Sequence, residues 1–195
     1  MARIEGLDIL DIEDPAAPVA NADGALDSTY FPDDLFDYVF GVPDTPKTAT
    51  QPSGSDKYLT ENATQITDCT TLGASSSGLY WYRGTTNCAI GADTGSLEQP
   101  VVLVSDRPLV TSGSPTFYGI VYIRDENVPV GAVNPVMFTG TGGPQFYGAV
   151  LLEGSSTING GPQIIFNKTT LQNIYNSPKF MRYGAVPGSW SDSVR

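Results

Sequence analysis

Apolar positions in this chain fall into short runs divided by polar turns, and their spacing changes along its length. In residues 31–43 (FPDDLFDYVFGVP), Leu35, Phe36, Val39 and Phe40 stand at i, i+1, i+4 and i+5, a stripe at helical spacing. Asp33 and Asp34 sit where carboxylates favour the positive end of a helix, and Gly41 followed by Pro43 supplies the stop. The segment therefore predicts a helix of about two turns that docks on the core. Residues 44–57 (DTPKTATQPSGSDK) are polar and rich in Pro, Ser and Thr, which predicts a flexible loop and the best internal boundary.

Beyond that loop the runs take strand character. Leu79, Tyr80, Trp81 and Tyr82 form an apolar centre with a Gly/Ser turn on each side. Residues 100–104 (PVVLV) read as a strand buried on both faces. An internal repeat follows. PTFYGIVYIRD and PQFYGAVLLEG align without gaps, matching Pro115/Pro144, Phe117/Phe146, Tyr118/Tyr147, Gly119/Gly148 and Val121/Val150, 29 residues apart (146 − 117). A strand–turn unit that recurs in this way predicts a β-solenoid-like stack, each copy burying its face against the next. Its rungs would be residues 100–104, the two FYG strands and residues 163–166 (QIIF), with TINGG at 157–161 as a tight turn in which Asn159 and Gly160 tolerate positive φ. An antiparallel β-sandwich with similar hairpins is the alternative. Residues 168–176 (KTTLQNIYN) predict a short helix capped by Thr169 or Thr170, with Leu171, Ile174 and Tyr175 on one side. The fold class is mainly β with short helices, organised as an N-terminal arm (1–29) and one β-rich domain (30–195).

Composition narrows the function. Ten basic residues against 21 acidic ones leave a net charge of −11, while charged residues make up 16% of the 195 positions. No Lys/Arg footprint for phosphates exists, so nucleic acid is not an expected partner. The chain contains no histidine, which excludes a Ser-His-Asp triad, a His-ligated zinc site and imidazole acid/base chemistry. Low charge does not mean disorder here, because hydrophobic residues reach 40% and include ten Tyr, eight Phe and two Trp. The acidity is partly localised: Asp8, Asp11, Glu13, Asp14, Asp23, Asp27, Asp33, Asp34 and Asp37 all precede residue 40. No run approaches a membrane span, and Met1 is not followed by the apolar core of a signal peptide. Residues 1–6 read as the start of an expressed fragment, and an exported protein would then have its targeting segment upstream.

Candidate chemistry is sparse. Cys69 and Cys88 are the only cysteines, and the turns between them could bring the two side by side. A disulfide closing that loop would stabilise by about 3 kcal/mol and would imply an oxidising compartment. Two buried free thiols in a cytosolic protein are the other reading. Two thiols alone cannot complete a structural zinc site. Paired carboxylates for glycoside cleavage could come from Asp93 with Glu98, from Asp125 with Glu126, or from Glu153, although surface solvation is the plainer role in an acidic chain. Serines lack both a G-x-S-x-G setting and a histidine, and the lysines are few (Lys47, Lys57, Lys168 and Lys179). An EF-hand register on Asn21–Gly24 fails, since it puts Val19 and Tyr30 where Asp and Glu are required. Asp8, Asp11, Glu13 and Asp14 then read as a solubilising arm. Asn62 and Asn167 head glycosylation sequons, which matter only in a eukaryotic secretory route. No catalytic residue, metal site or cofactor is expected, and the chain reads as a non-enzyme.

Several segments taken in order (FPDDLFDYVFGVP, CTTLGASSSGLYWYRG, QPVVLVSD, FYGIVYIRD, FYGAVLLEGSSTINGG and VPGSWSD) resemble the soluble C-terminal region of PilX-type type IV pilus assembly proteins of Gram-negative bacteria. The resemblance spans about residues 30 to 192. It implies a minor pilin-like, non-enzymatic component, extracytoplasmic and anchored in the inner membrane by a hydrophobic helix absent from this chain. The partners it implies are other minor pilins and a large tip-associated adhesin, and it makes the Cys69–Cys88 pair a periplasmic disulfide. A repeat-built β domain departs from a small ordinary pilin domain. Contacts would come from whichever of Tyr80, Trp81, Tyr82, Phe117, Tyr118, Phe146, Tyr147 and Trp190 are exposed; core packing is the plainer role for most. A secreted carbohydrate-binding or carbohydrate-cleaving β-solenoid is the alternative function.

Overall fold

The two FYG copies lie side by side. In the computed structural model, which describes residues 3–5, 34–45, 48, 50–124, 136–153 and 157–177, they form strands β7 (Thr116–Ile123) and β9 (Gln145–Leu152). These pair in parallel from Thr116 opposite Gln145 to Ile123 opposite Leu152, so every residue faces its repeat counterpart. Phe117 stacks on Phe146 with ring centroids 5.6 Å apart, and Tyr118 on Tyr147 at 5.1 Å. Gly119 and Gly148 face each other with φ of 144° and 147°, a conformation open to glycine and strained for any residue with a Cβ.

The other strands continue this parallel arrangement. They are β1 (Arg3–Glu5), β2 (Thr64–Ile66), β3 (Gly78–Tyr82), β4 (Cys88–Ile90), β5 (Val101–Ser105), β6 (Leu109–Thr111), β8 (Val136–Gly140), β10 (Thr157–Gly160) and β11 (Gln163–Ile165). A seven-stranded sheet has the order β1-β11-β9-β7-β5-β3-β2, and a four-stranded sheet the order β10-β8-β6-β4. From β3 onward, successive strands alternate between the two sheets. Each parallel neighbour is thus reached by a crossover that is itself a strand. All strand pairs among the described residues are parallel, which excludes antiparallel pairing for these segments.

Strand β5, in the interior of the seven-stranded sheet, is buried on both faces, as its continuous apolar run predicts. Val101 and Leu103 point with Phe117, Val121 and Phe146 toward Leu109 and Phe138 of the smaller sheet. Val102 and Val104 point the other way, with Trp81 and Tyr122, beneath helices α1 (Leu35–Phe40), α2 (Gly54–Asn62) and α3 (Lys168–Tyr175). Phe36 of α1 sits edge-on to Tyr58 and Tyr122, with centroids 6.0 and 5.7 Å away. Asp34 caps α1 by accepting the Asp37 N–H, and Gly41 ends the helix in the left-handed conformation (φ 64°). Asp34 also accepts the Asp44 N–H at 2.7 Å. Asp34→Ala should cost about 1 kcal/mol, read from the urea midpoint.

Four local expectations need correction. Residues 54–57, placed in the polar loop, begin α2: Ser53 accepts the Asp56 N–H, a Ser-x-x-Asp cap hidden by the loop-like composition. Residues 157–160 are strand β10, because Thr157 and Ile158 pair with β8; Gly160 does carry a positive φ of 98°. The cap of α3 is Asn167, whose side chain accepts the Thr170 N–H, so neither threonine caps it. Tyr175 is 82% exposed, whereas Ile174 is buried and Leu171 packs beside the same cluster, so the core-facing stripe holds Leu171 and Ile174 without Tyr175. The acidic arm (1–29) lies outside the described residues apart from β1, as do Asp33, Asp125, Glu126, Lys47, Lys179 and Trp190.

Candidate functional site

Among the described residues, the buried charged side chains form one cluster that grows directly from strand register. The seven-stranded sheet places Tyr82 opposite Ser105, Ser105 opposite Ile123, and Ile123 opposite Leu152. One residue past these strand ends come Arg83, Asp106, Arg124 and Glu153. Backbone bonds carry the register through this row, from Asp106 N–H to Tyr82, Arg124 N–H to Ser105 and Glu153 N–H to Ile123. Positive and negative side chains therefore alternate across four neighbouring strands, an arrangement that favours opposite charges directly across from one another.

Arg124 is fully buried at the centre of this row. Its Nη1 donates to Asp56 at 3.0 Å and to Asp106 at 3.1 Å, and its Nη2 donates to Ser55 Oγ at 2.8 Å. The Trp81 Nε1–H donates to the same Asp106 oxygen at 2.9 Å. Ser55 and Asp56 belong to the first turn of α2, so one guanidinium fastens that helix to the ends of β5 and β7. Ser55 in turn donates its backbone N–H and hydroxyl to Asp44, which ties in the segment after α1. Arg83, half exposed, lies over the Trp81 ring at 4.3 Å and reaches Asp106 at 3.9 Å. Burial raises the Asp106 carboxyl above its ordinary range, against the opposing pull of the Trp81 bond and the Arg124 charge. Burial likewise pushes the Tyr122 hydroxyl up, reinforced by the Glu153 carboxylate, to which it donates at 2.7 Å. Arg124 Nη1 and Nη2 and Trp81 Nε1 are aimed at Asp56, Asp106 and Ser55, and these contacts hold helix α2 to the sheet.

The carboxylates singled out from sequence have separate places. Asp93 accepts the Thr116 N–H at 2.7 Å at the entrance to β7. Glu98 lines a small cleft of about 250 Å³ with Ser77, Gly78, Gln99, Pro100, Asn173 and Ser177. Glu153 is bound to Tyr122 at the end of β9. Among the described residues, no group of three or more carboxylate or thiol side chains is placed to hold a metal ion. Cys69 and Cys88 are joined in a disulfide, with Cα atoms 5.3 Å apart. Of the candidate contact aromatics, Trp81, Tyr82, Phe117 and Phe146 are buried, while Tyr80, Tyr118 and Tyr147 are half-buried.

Sequence reading misses Asp56, Asp106 and Arg124 as a unit. The signal is present: four apolar runs end in Arg83, Asp106, Arg124 and Glu153, a charge at each strand exit with alternating sign. Only parallel register turns that series into contacts. Comparison of the chain with protein-family models, curated proteins and solved structures returns no match.

Proposed function

We propose that this chain is the extracytoplasmic, non-enzymatic module of a type IV pilus assembly protein of the minor pilin-like kind, acting through protein surfaces. The observation that carries the reading is the ordered series of segments from FPDDLFDYVFGVP to VPGSWSD. The Cys69–Cys88 bond supports it, because such bonds persist in oxidising compartments such as the periplasm. Expected partners are other minor pilins and a tip-associated pilus protein, with an anchoring helix supplied by a longer form of the chain. We also infer that strands alternating between the two sheets wind as successive coils of a solenoid. Its coil lengths, read along the seven-stranded sheet, would be 23 (101 − 78), 18 (119 − 101), 29 (145 − 116) and 18 (163 − 145) residues. Unequal coils leave only the conformationally constrained FYG segment repeated in sequence.

The test is retention of purified minor-pilin periplasmic domains on the immobilised chain. Retention of at least one supports the reading. Specific binding on a glycan array with no pilin retained defeats it and favours the carbohydrate-binding alternative. That alternative has one observation of its own: the stacked Tyr118 and Tyr147 adjoin an amide pair, with Tyr147 donating to Gln145 and Gln145 to Gln163. Aromatic and amide groups side by side are the chemistry that sugars use.

A further inference from the structure

The two sheets are closed at one end by a short segment that differs from the rest in how it is held. After α2, the chain lays β2 against β3, makes a 3₁₀ turn at Cys69–Thr71 that packs on β4, and returns to β3 at Gly78. Among the described residues, β2 and β4 are the last strands of their sheets at this end. Several hydrogen bonds of the segment are internal: Asp68 accepts from Thr70, Thr71 donates to the Asp68 carbonyl, and the Leu72 N–H donates to Cys69. Its ties to neighbours include the β2–β3 pairing, the Arg83 N–H to Ile66 and the Gly95 N–H to Gly73. Thr64 and Gln65 are exposed, and the segment enters the main core through Cys69 and Leu72, with Ile66 half-buried beside them. Both ends are firmly anchored, by the Arg124 contacts of α2 on one side and by the five-residue β3–β5 pairing on the other.

We propose that residues 63–77 form an oxidation-dependent cap, closed by the Cys69–Cys88 bond and open without it together with the edge strand β4 that the bond holds, while β3 and the strands from β5 to β11 stay folded. Segments with few buried apolar contacts open at the low end of the stability range. A covalent bond from the 3₁₀ turn to β4 changes that balance for this segment above all others. Closure is a thiol–disulfide exchange with a disulfide oxidant, either a small molecule or a protein. One cysteine thiolate attacks the oxidant's disulfide, forming a mixed disulfide and expelling a thiolate. The second cysteine thiolate then attacks the mixed disulfide at the protein sulfur. The Cys69–Cys88 bond forms, and the oxidant's two sulfurs end as thiols, having gained two electrons and the two protons that the cysteines lost. Cys69 and Cys88 are 2% and 0% exposed once joined, so a reductant reaches them only after the cap opens. The end of the sheets would thus be covered only after the chain has met an oxidising compartment. This inference stands whether or not the pilus reading does.

Hydrogen exchange read by mass spectrometry on the whole chain tests it. Three forms are compared: oxidised, reduced with dithiothreitol, and the Cys69→Ala/Cys88→Ala variant. Exchange should quicken by about tenfold or more over residues 63–77 and along β4 in the last two forms, with β5, β7 and β9 unchanged. Oxidised glutathione should restore protection to the reduced protein and leave the variant open. Two results overturn the proposal. Exchange that rises across β5–β9 shows that the bond holds the whole fold, and unchanged protection over 63–77 shows that the cap closes without it.

Discussion

Gly119→Ala should leave the chain unable to fold, or destabilise it by more than about 4 kcal/mol, the range reserved for a named structural fault. Two effects add at this position. Its φ of 144° disfavours any side chain, and a Cβ there would overlap the backbone carbonyl of Val101 on the neighbouring strand. That carbonyl belongs to β5 and cannot move without pulling the β5–β7 pairing apart. Gly148→Ala repeats the fault one strand further on, against the Gly119 carbonyl. Gly113→Ala separates the two effects, because Gly113 also has a positive φ (76°) but nothing within 4 Å of its added Cβ. It should show the conformational penalty alone, about 1–2 kcal/mol. Urea unfolding followed by tryptophan fluorescence gives all three values. Near-equal losses in Gly113→Ala and Gly119→Ala would refute close strand packing as the cause.

The same pair of glycines explains which parts of the fold can be read from sequence. The FYG repeat is visible because three constraints coincide there: a stacked Phe, a stacked Tyr, and a glycine where strands approach too closely for a Cβ. The run at 100–104 can be read as a strand because burial on both faces demands continuous apolar residues, whereas the run at 163–166 is legible through its β-branched Ile164 and Ile165, although β11 is only half-buried. β10 reads as a turn because its Asn-Gly composition is that of a turn, and its pairing with β8 is non-local. The start of helix α2 is concealed because Pro, Ser, Gly and Asp there resemble a loop; its Ser53 cap is the local clue. Cys69 and Cys88 are legible from the turns between them. Arg124 is not, since nothing in the local sequence says that a charged residue at a strand exit will be roofed by a helix.

Arg124→Met should cost about 3–5 kcal/mol, because it leaves the buried carboxylates of Asp56 and Asp106 facing each other without the guanidinium between them. The lost hydrogen bonds matter less than the charge that remains, and this yields two further outcomes. First, Asp56→Asn with Asp106→Asn in the Arg124→Met background should recover much of the loss, since the amide oxygen introduced by Asp106→Asn can still accept from Trp81 Nε1. The same two substitutions beside an intact Arg124 should destabilise, by stranding the cation instead. Second, the deficit of Arg124→Met should shrink on acidification. Burial already raises the Asp106 carboxyl above 3.8, and removing the cation removes a force that pulls it down. A carboxyl raised in the folded state binds its proton more tightly there than in the unfolded chain. Its contribution to stability is therefore fully present below the unfolded value and is lost as pH rises through the folded one. Unfolding free energies of wild type and Arg124→Met should thus converge as pH falls from 7 toward about 4. A gap that stays constant with pH would mean that Arg124 acts by packing against Trp81, and that the alternating charges at the strand exits are incidental to its role.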